Sequence, residues 1–278
     1  MRFTKMHGLG NDFIIIEDTE PIKAGQYSAM AIKLCNRYFG IGADGLIIIG
    51  RDPQTDIYMR IFNSDGSEPE MCGNGIRCVA KYAYESGLVQ HSPISVKTLA
   101  GLRYPEVILD EAGNVASVKV DMGEPILAAD DIPVKSNKEI VIGEKLSIMT
   151  KGFTFTAVSM GNPHCIIFVE DLDKTPVTEW GPAIEVHPMF PQKTNVEFVE
   201  VIGPAELRMK VWERGAGPTL ACGTGTCATV VAAVLNRKSG RKCVVHLDGG
   251  DLFIEWNEAN NRVYMTGPAV EVYRGEFK

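Results

Sequence analysis

The sequence predicts a protein of the mixed α/β (α+β) class, built from two similar domains that are each rich in strands and contain few helices. Three observations lead to this prediction. The chain has 278 residues, and such a length suits roughly two domains of ~140 residues. Matched motifs recur in its two halves, and a helical pattern follows each copy of a Cys-Gly-x-Gly motif.

An internal repeat relates the halves at an offset of 150 or 151 residues. GNDFIII at 10–16 resembles GNPHCII at 161–167. FNSDGSEPEMC at 62–72 aligns with WERGAGPTLAC at 212–222, so that the cysteines that end the two stretches are equivalent. Self-similarity at a fixed offset indicates duplication. We therefore expect equivalent loops of two related domains to face each other across a ligand-binding cleft.

Strands are predicted where apolar residues alternate with polar ones or form short runs between turn residues. Alternation is clearest near the second cysteine, where Leu207, Met209 and Val211 share one face. In chain order the predicted strands are Ile14–Ile16, Leu46–Ile49, Ile57–Phe62, Val118–Asp121, Phe153–Val158, Ile166–Val169, Val196–Val201, Leu207–Glu213, Val263–Thr266 and Val270–Tyr273.

Helices are predicted directly after the two cysteine motifs. In the first helix Ile76, Val79, Ala80 and Ala83 form an apolar face, and Gly87 is the expected end. The second helix is apolar on nearly all sides, through Val230, Val231, Val234 and Leu235, which predicts a central buried helix. Gly240 is its expected end.

Composition and charge exclude several classes of partner. The formal net charge is −7 and there is no basic tract, which argues against nucleic acid and anionic membranes as partners. The longest apolar stretch, ATVVAAVL at 228–235, is far shorter than the ~20 residues of a membrane span. Seven cysteines, with no secretion signal at the N-terminus, favour free thiols in a cytoplasmic, reducing environment.

The repeated thiols indicate acid–base chemistry. Cys72 and Cys222 each precede a helix, whose positive end is expected to lower the pKa of a thiol. The glycines that follow let backbone N–H groups converge on an anion such as a carboxylate. Two such devices in facing domains would place an acid and a base on opposite sides of one carbon, as a racemase or epimerase requires.

Other uses of these cysteines are less well supported. The spacings Cys72-x5-Cys78 and Cys222-x4-Cys227 do not match compact zinc motifs, and the chain has no Cys-x-x-Cys redox motif. We expect Cys78 and Cys227 to be packing residues on their helices.

GIGADG at 40–45 matches the Gly-x-Gly-x-x-Gly pattern of dinucleotide-binding proteins. However, the helical run AIKLCNRYF precedes it and the apolar strand LIIIG follows it. This order is the reverse of the strand–loop–helix that binds a dinucleotide, so we reject such a site.

With these motifs in place, the chain resembles the diaminopimelate epimerase family. The resemblance implies two similar domains, each a barrel-like, mainly antiparallel sheet wrapped around a central helix, spanning 1–122 plus 264–278 and 123–263. It implies interconversion of LL- and meso-2,6-diaminopimelate without cofactor or metal, in lysine and peptidoglycan precursor biosynthesis, and suggests a homodimer. The stretches that carry it are GLGNDF (8–13), GADG (42–45), FNSDGSEPEMCGNGIRC (62–78), GNPH (161–164), TNVEF (194–198) and VWERGAGPTLACGTGTCA (211–228).

The resemblance also implies roles for individual residues. Cys72 and Cys222 would be the acid–base pair, and His164 and Glu213 would adjust the pKa of the thiols. The expected substrate-binding residues are Asn11, Asn63, Gly73, Asn74, Asn162, Asn195, Glu213, Arg214, Gly223 and Thr224.

Two alternatives remain open from the sequence. The first is a proline or hydroxyproline racemase of the same fold, although those enzymes typically carry histidine at the position of Asn74 and a different context before the second thiol. The second is a thiol redox or carboxylate-binding protein without catalytic activity.

Overall fold

The structure is a computed structural model that describes residues 1–19, 24–148 and 151–277. The chain divides into two compact units. Unit 1 comprises Met1–Asp121 and Thr266–Lys278, and unit 2 comprises Met122–Met265. We propose that these units are the two domains expected from the repeat.

The secondary structure is dominated by strands, with four helices in the described residues. The helices are α1 (Ala24–Cys35), α2 (Gly73–Glu85), α3 (Val177–Glu185) and α4 (Gly223–Leu235). The strands are β1 (Arg2–Gly8), β2 (Asn11–Glu17), β3 (Gly45–Gly50), β4 (Ile57–Asn63), β5 (Val96–Thr98), β6 (Gly101–Arg103), β7 (Glu106–Leu109), β8 (Val115–Asp121), β9 (Glu144–Ile148), β10 (Lys151–Ser159), β11 (Pro163–Val169), β12 (Asn195–Gly203), β13 (Glu206–Glu213), β14 (Gly217–Thr219), β15 (Lys242–Leu247), β16 (Gly250–Trp256), β17 (Val263–Gly267) and β18 (Val270–Glu276).

Unit 1 is a mainly antiparallel sheet in the order β18-β1-β2-β3-β4-β5-β6. Two of its pairs, β2 with β3 and β4 with β5, are parallel. Helix α2 packs against β1, β2 and β4 of this sheet and against the hairpin β7–β8. Its predicted apolar face, Ile76, Val79, Ala80 and Ala83, is fully buried. Gly87 follows the helix with a φ of 76°, the left-handed conformation expected of a terminating glycine.

Unit 2 contains strands in the order β17-β16-β15-β13-β12-β11-β10-β9, with β14 paired to β13. Helix α4 contacts β10, β11 and β12 from one part of this sheet and β15 and β16 from the other, so the sheet curves around the helix. Residues Gly225–Ala233 of α4 are buried without interruption. An apolar surface on every side of a helix is what a central position requires.

The units repeat one pattern of strand pairing, which supports a duplication. Unit 1 joins β1-β2-β3-β4-β5-β6 in the same way that unit 2 joins β10-β11-β12-β13-β15-β16. The parallel pairs fall at matching places, β11 with β12 and β13 with β15 in unit 2. Helices α1 and α3 occupy one equivalent connection, and α2 and α4 occupy the other. The predicted mixed class with two pseudo-symmetric parts is confirmed.

The expected end of α4 at Gly240 is wrong. The helix ends at Leu235, and Asn236 caps it. The N–H of Arg237 donates to Val234 O and that of Lys238 donates to Ala233 O, which is the hydrogen-bonding pattern of a Schellman motif. Arg237 therefore takes the left-handed conformation, with a φ of 56°. The motif closes the helix before the chain reaches a glycine.

The described helices include none that is both long enough and apolar enough to cross a membrane.

Candidate functional site

Both repeated cysteines are the N-cap residues of the central helices. Cys72 precedes α2 with φ −139° and ψ 123°, and Cys222 precedes α4 with φ −122° and ψ 110°. Each sulfur accepts a hydrogen bond from the N–H three residues on, at 3.5 Å from Gly75 and 3.4 Å from Gly225. The sulfur atoms thus take the place of the usual capping oxygen and lie at the positive end of a helix.

The first residues of the same helices offer further donors. Gly73 and Asn74 begin α2, and Gly223 and Thr224 begin α4. The N–H groups of a first helical turn have no acceptor within the helix, so they are suited to binding an anion. Both units therefore combine a thiol with an anion-binding helix terminus.

In unit 1, Asn11 and Asn74 lie next to Cys72. The thiol is directed at Asn11 Oδ1 over 3.8 Å, and the same oxygen accepts from Asn74 Nδ2 at 3.2 Å. Gly10, before Asn11, has a φ of 85°, and its counterpart Gly161 has a φ of 98°. Glycine accepts this backbone conformation without strain, which explains its presence in both copies.

Asp44 fixes the amide of Asn11. Its carboxylate accepts from Asn11 Nδ2 at 2.8 Å. Arg37 bridges Asp44 and Asp12, and the buried Lys5 pairs with Asp12 at 2.7 Å. Burial alone would raise the pKa of the Asp12 carboxyl, but Arg37 and Lys5 hold it well below its usual range. Asp44 of the GADG stretch thus orients the Asn11 amide that lies next to Cys72.

Arg77 fixes the amide of Asn74. Its side chain is fully buried and donates to Asn74 Oδ1 at 3.0 Å, to Gly73 O at 3.2 Å and to Pro268 O at 3.2 Å. The sequence reasoning did not assign Arg77 or Asp44 to the site. In the sequence Arg77 lies on the polar side of α2, one turn before Lys81, so no pattern distinguished it from an exposed arginine.

Asn63 pairs with Gly45, directly after Asp44, but its side-chain amide bonds to a different residue. It is the last residue of β4, is exposed, and donates from Nδ2 to Ser67 Oγ at 2.9 Å. The structure therefore brings together Asn11, Cys72 and Asn74, whereas Asn63 stands at the end of a neighbouring strand.

In unit 2, Cys222 is buried, and its surroundings raise the pKa of its thiol. Burial raises the pKa of this thiol well above its usual value, and the nearby carboxyl groups of Glu213 and Glu197 raise it further. Hydrogen bonds from Thr224 and Gly225 oppose this rise without reversing it. The pKa of Cys222 is therefore shifted in the direction opposite to the one expected from the helix terminus, because burial and two carboxyl groups raise it.

His164 does not contact Cys222 through a hydrogen bond; it lies between two other side chains. Nδ1 is 2.6 Å from Glu197 Oε1, and Nε2 is 3.0 Å from Asn162 Oδ1. Both His164 and Glu197 are fully buried. The sequence reasoning included Glu197 only as part of TNVEF, although a carboxyl group between Val196 and Phe198 in an apolar strand was a signal for a special role.

Arg214 and Asn195 are linked at the end of β13. Asn195 is buried; its Oδ1 accepts from the backbone N–H of Arg214 at 2.9 Å, and its Nδ2 donates to Pro163 O at 2.8 Å. The Arg214 side chain is exposed and donates to Gln192 O at 3.2 Å. Glu213, the last residue of β13, accepts from Thr219 Oγ1. Asn195 thus acts on the backbone of the Glu213–Arg214 pair, while the guanidinium group reaches solvent.

The remaining cysteines of the two motifs are packing residues. Cys78 and Cys227 are fully buried, and burial raises the pKa of the Cys78 thiol to about 12. The described residues contain no group of three or more His, Cys, Asp or Glu side chains arranged to hold a metal ion.

The fold is shared with solved structures of low sequence identity. A phenazine biosynthesis protein of the PhzF family from Bacillus anthracis matches with a TM-score of 0.73 and 17% identity, over 100% of this chain and 99% of the other. A hydroxyproline epimerase from Agrobacterium vitis matches with a TM-score of 0.69 and 15% identity, over 99% of this chain and 91% of the other. These two structures show that the fold of this chain is shared with other proteins of low sequence identity.

Sequence relatives identify the family within this fold. The family model "Diaminopimelate epimerase" matches residues 3–128 and 156–272. A diaminopimelate epimerase from Heliobacterium modesticaldum is 58% identical over 100% of this chain and 99% of its own length. One from Methanococcus maripaludis is 53% identical, again over 100% of this chain and 99% of its own length. The chain belongs to the diaminopimelate epimerase family.

Proposed function

We propose that this protein interconverts LL- and meso-2,6-diaminopimelate by moving a proton at the α-carbon between two cysteines. The observation that carries the proposal is the identical capping geometry of Cys72 and Cys222 in a member of this family. A thiol at a helix terminus that also offers N–H donors suits a carbon acid whose carboxylate binds beside the reacting carbon.

The mechanism needs one cysteine as a thiol and the other as a thiolate at the start of each turnover. The raised pKa of Cys222 favours its thiol form, so Cys222 is the proton donor and Cys72 is the base in one direction of turnover. Cys72 takes the α-proton, and the carbanion takes the proton of Cys222 from the opposite face. Cys72 then holds a proton and Cys222 is a thiolate, which is the form needed for the reverse direction.

The carboxylate at the reacting carbon would bind the helix termini, at Gly73–Asn74 and Gly223–Thr224. Negative charge that develops on this carboxylate is stabilised by donors that are already in place, worth about 3 kcal/mol for each well-aimed donor. Glu213 raises the pKa of Cys222, while His164 acts on Asn162 and Glu197, and we assign both to control of the proton transfer.

The distal end of the substrate would be held by polar side chains. The guanidinium group of Arg214 is exposed and can bind a carboxylate with two parallel hydrogen bonds. We assign the substrate's remaining amino and carboxylate groups to the asparagines Asn11, Asn63, Asn162 and Asn195. Thiols both supply and accept the proton, so the proposed chemistry uses no cofactor.

The proposed setting is the cytoplasm, where a reducing environment keeps both thiols free. All seven cysteines are free of disulfides, as the mechanism needs. A place in lysine and peptidoglycan precursor biosynthesis follows from the proposed substrate. A homodimer stays a prediction from the resemblance, and light scattering of the purified protein tests it.

Incubation of the purified protein with LL-diaminopimelate, followed by chiral separation, tests the function. We expect the meso isomer to form with the wild type and to be absent with Cys72→Ala or Cys222→Ala. Cys35→Ala and Cys243→Ala are matched controls, since each removes a buried thiol without a proposed role. Full activity in either site variant would refute the two-thiol mechanism. Turnover of proline or hydroxyproline instead of diaminopimelate would favour the other isomerases of this fold.

A further inference from the structure

The two units differ at one equivalent position on their central strands. In unit 1, β2 pairs in parallel with β3 so that Ile15 lies opposite Ile47. In unit 2, β11 pairs in parallel with β12 so that Ile166 lies opposite Glu197. Ile15 and Ile166 are equivalent in the repeat, at the offset of 151 residues. Glu197 therefore occupies the place that an isoleucine fills in unit 1.

Contacts with the central helices give the same equivalence. A methyl group placed on Gly75 of α2 would have Ile47 Cδ1 as its nearest neighbour, at 3.1 Å. A methyl group placed on Gly225 of α4 would lie 2.5 Å from Glu197 Oε1 and 3.3 Å from the sulfur of Cys222. The Glu197 carboxyl group thus lies under the first turn of α4, beside the capping thiol.

The partner of Glu197 is also replaced in unit 1. His164 is equivalent to Phe13 in the repeat, and both are buried. At these two equivalent positions of the central strands, unit 1 has an apolar pair, Phe13 and Ile47. Unit 2 has an ionisable pair, His164 and Glu197. Burying ionisable groups costs free energy that an apolar pair does not cost. The fold has no need of His164 and Glu197, which indicates a functional reason for them.

Hydrogen-bond geometry defines where the protons of this pair lie. The amide oxygen of Asn162 can only accept, so His164 Nε2, 3.0 Å away, carries a proton. A second proton lies between Nδ1 and Glu197 Oε1, which are 2.6 Å apart. Whether it resides on nitrogen or oxygen, the pair then has no net charge.

The surroundings of Glu197 agree with a neutral pair. Within the described part of the chain, its buried Oε2 has no hydrogen-bond partner, a position unfavourable for a full carboxylate. Burial raises the pKa of this carboxyl group; His164 opposes the rise and the charge of Glu213 adds to it. Cys165 and Cys222 are the other titratable groups beside Glu197, and burial raises the pKa of both thiols.

We propose that Glu197 is a positioning residue: with His164 it forms a buried pair of zero net charge that keeps Nε2 protonated and holds the Asn162 amide by its oxygen. The Nδ2 group of Asn162 is thereby turned away from the ring and can donate to a ligand. This last role rests on the proposed function, because the ligand is then the diaminopimelate substrate.

Histidine NMR of the ligand-free, full-length protein tests the protonation state without any assay of activity. The chain has five histidines, and the signals of His164 are identified by their loss in His164→Phe. We expect a protonated Nε2 in the wild type at neutral pH. An unprotonated Nε2 with a proton on Nδ1 alone would overturn the proposal, since the pair would then carry a negative charge and Asn162 would have to reverse its amide. This result is independent of whether the protein is an epimerase.

Kinetics of three variants test the positioning role. The double variant Glu197→Ile/His164→Phe copies the pair of unit 1, so we expect it to fold, as thermal unfolding would show. It should raise KM and lower kcat/KM by about ten- to a hundredfold, the scale of a misplaced binding group. Glu197→Gln can donate to Nδ1 as a neutral carboxyl group does, and we expect it to recover most of the loss seen in Glu197→Ile.

Two kinetic outcomes would contradict the proposal. Wild-type kcat/KM in the double variant would mean that the pair does not position Asn162. A loss in Glu197→Gln as large as that in Glu197→Ile would mean that a hydrogen-bond partner for Nδ1 does not hold the Asn162 amide in place. If the wild type itself does not turn over diaminopimelate, the proposed function fails, and the NMR result alone decides the protonation and orientation of the pair.

Discussion

Replacing Gly225 by alanine should destabilise the protein, although the same change in most helices is stabilising. Alanine has a helix propensity about 1 kcal/mol better than that of glycine. In α4, however, the new methyl group would lie 2.5 Å from Glu197 Oε1. Glu197 has no exposed surface into which it could move, so relief requires loss of its 2.6 Å contact with His164. Losing a charged hydrogen bond of this kind costs about 1.5–3 kcal/mol.

The difference is a net loss of about 0.5–2 kcal/mol in the free energy of unfolding. At about 2–4 °C per kcal/mol, the midpoint of thermal unfolding should fall by about 1–8 °C. Gly75→Ala is the matched control, because its methyl group meets only the flexible ends of Ile47 and Met59, at 3.1 and 3.2 Å. We expect the free energy of unfolding of this control to stay within about 1 kcal/mol of that of the wild type. A Gly225→Ala variant as stable as the wild type would refute the packing of Glu197 against α4.

Three further predictions concern charge and backbone conformation. Glu213→Gln removes a carboxylate beside Cys222 and should lower the pKa of that thiol, as measured by thiolate absorbance in a Cys72→Ala background; an unchanged pKa would contradict the assignment. Asp12 has a pKa held below its usual value, so its contribution to stability is present above pH ~4 and is lost in acid. Asp12→Asn should therefore be less stable than the wild type at pH 7 and lose less stability on acidification. Parallel plots of the free energy of unfolding against pH for the two proteins would contradict this. Arg237→Gly removes the backbone strain of a non-glycine residue in the left-handed conformation, so urea unfolding should show a protein more stable by about 1 kcal/mol. Equal stability would show that contacts of the arginine side chain offset this strain.

Local sequence patterns predicted much of the fold. Each predicted strand falls within or on an observed one, as Leu207–Glu213 does within β13 (Glu206–Glu213). The cysteines cap helices because the residues that follow them are locally helical, and Gly87 ends α2 as expected. These features depend on neighbouring residues, and their recurrence at a constant offset made them easier to recognise.

The electrostatics of the site could not be predicted in the same way. The helix dipole at Cys222 is a local property, but Glu197 reaches the site through parallel pairing of β11 with β12, and Glu213 through β13. Burial raises the pKa of Cys222, and both carboxyl groups raise it further. Likewise, Asp44 meets Asn11 only because β2 and β3 are neighbours in the sheet. Pairing between distant segments is not visible in one sequence.

The roles of the individual site residues stay predictions. The structure groups Asn11 and Asn74 with Cys72, links Asn162 to His164, and links Asn195 to the backbone of Arg214. A family pattern transfers such roles, but it did not distinguish side chains that can reach a ligand from those that orient a neighbour. Asn195, whose buried amide is bonded to two backbone groups, orients the Arg214 backbone in addition to its proposed contact with the substrate.

The transfer of one proton from each side of the α-carbon is tested most directly by following hydrogen isotopes during the first turnovers in deuterated water. Each thiol exchanges its single proton with solvent, so the product isomer should contain deuterium at the α-carbon while the remaining LL substrate still carries its original hydrogen. A product that retains the hydrogen of the substrate would show that a single group removes and returns it, and would contradict a mechanism in which Cys72 and Cys222 act together.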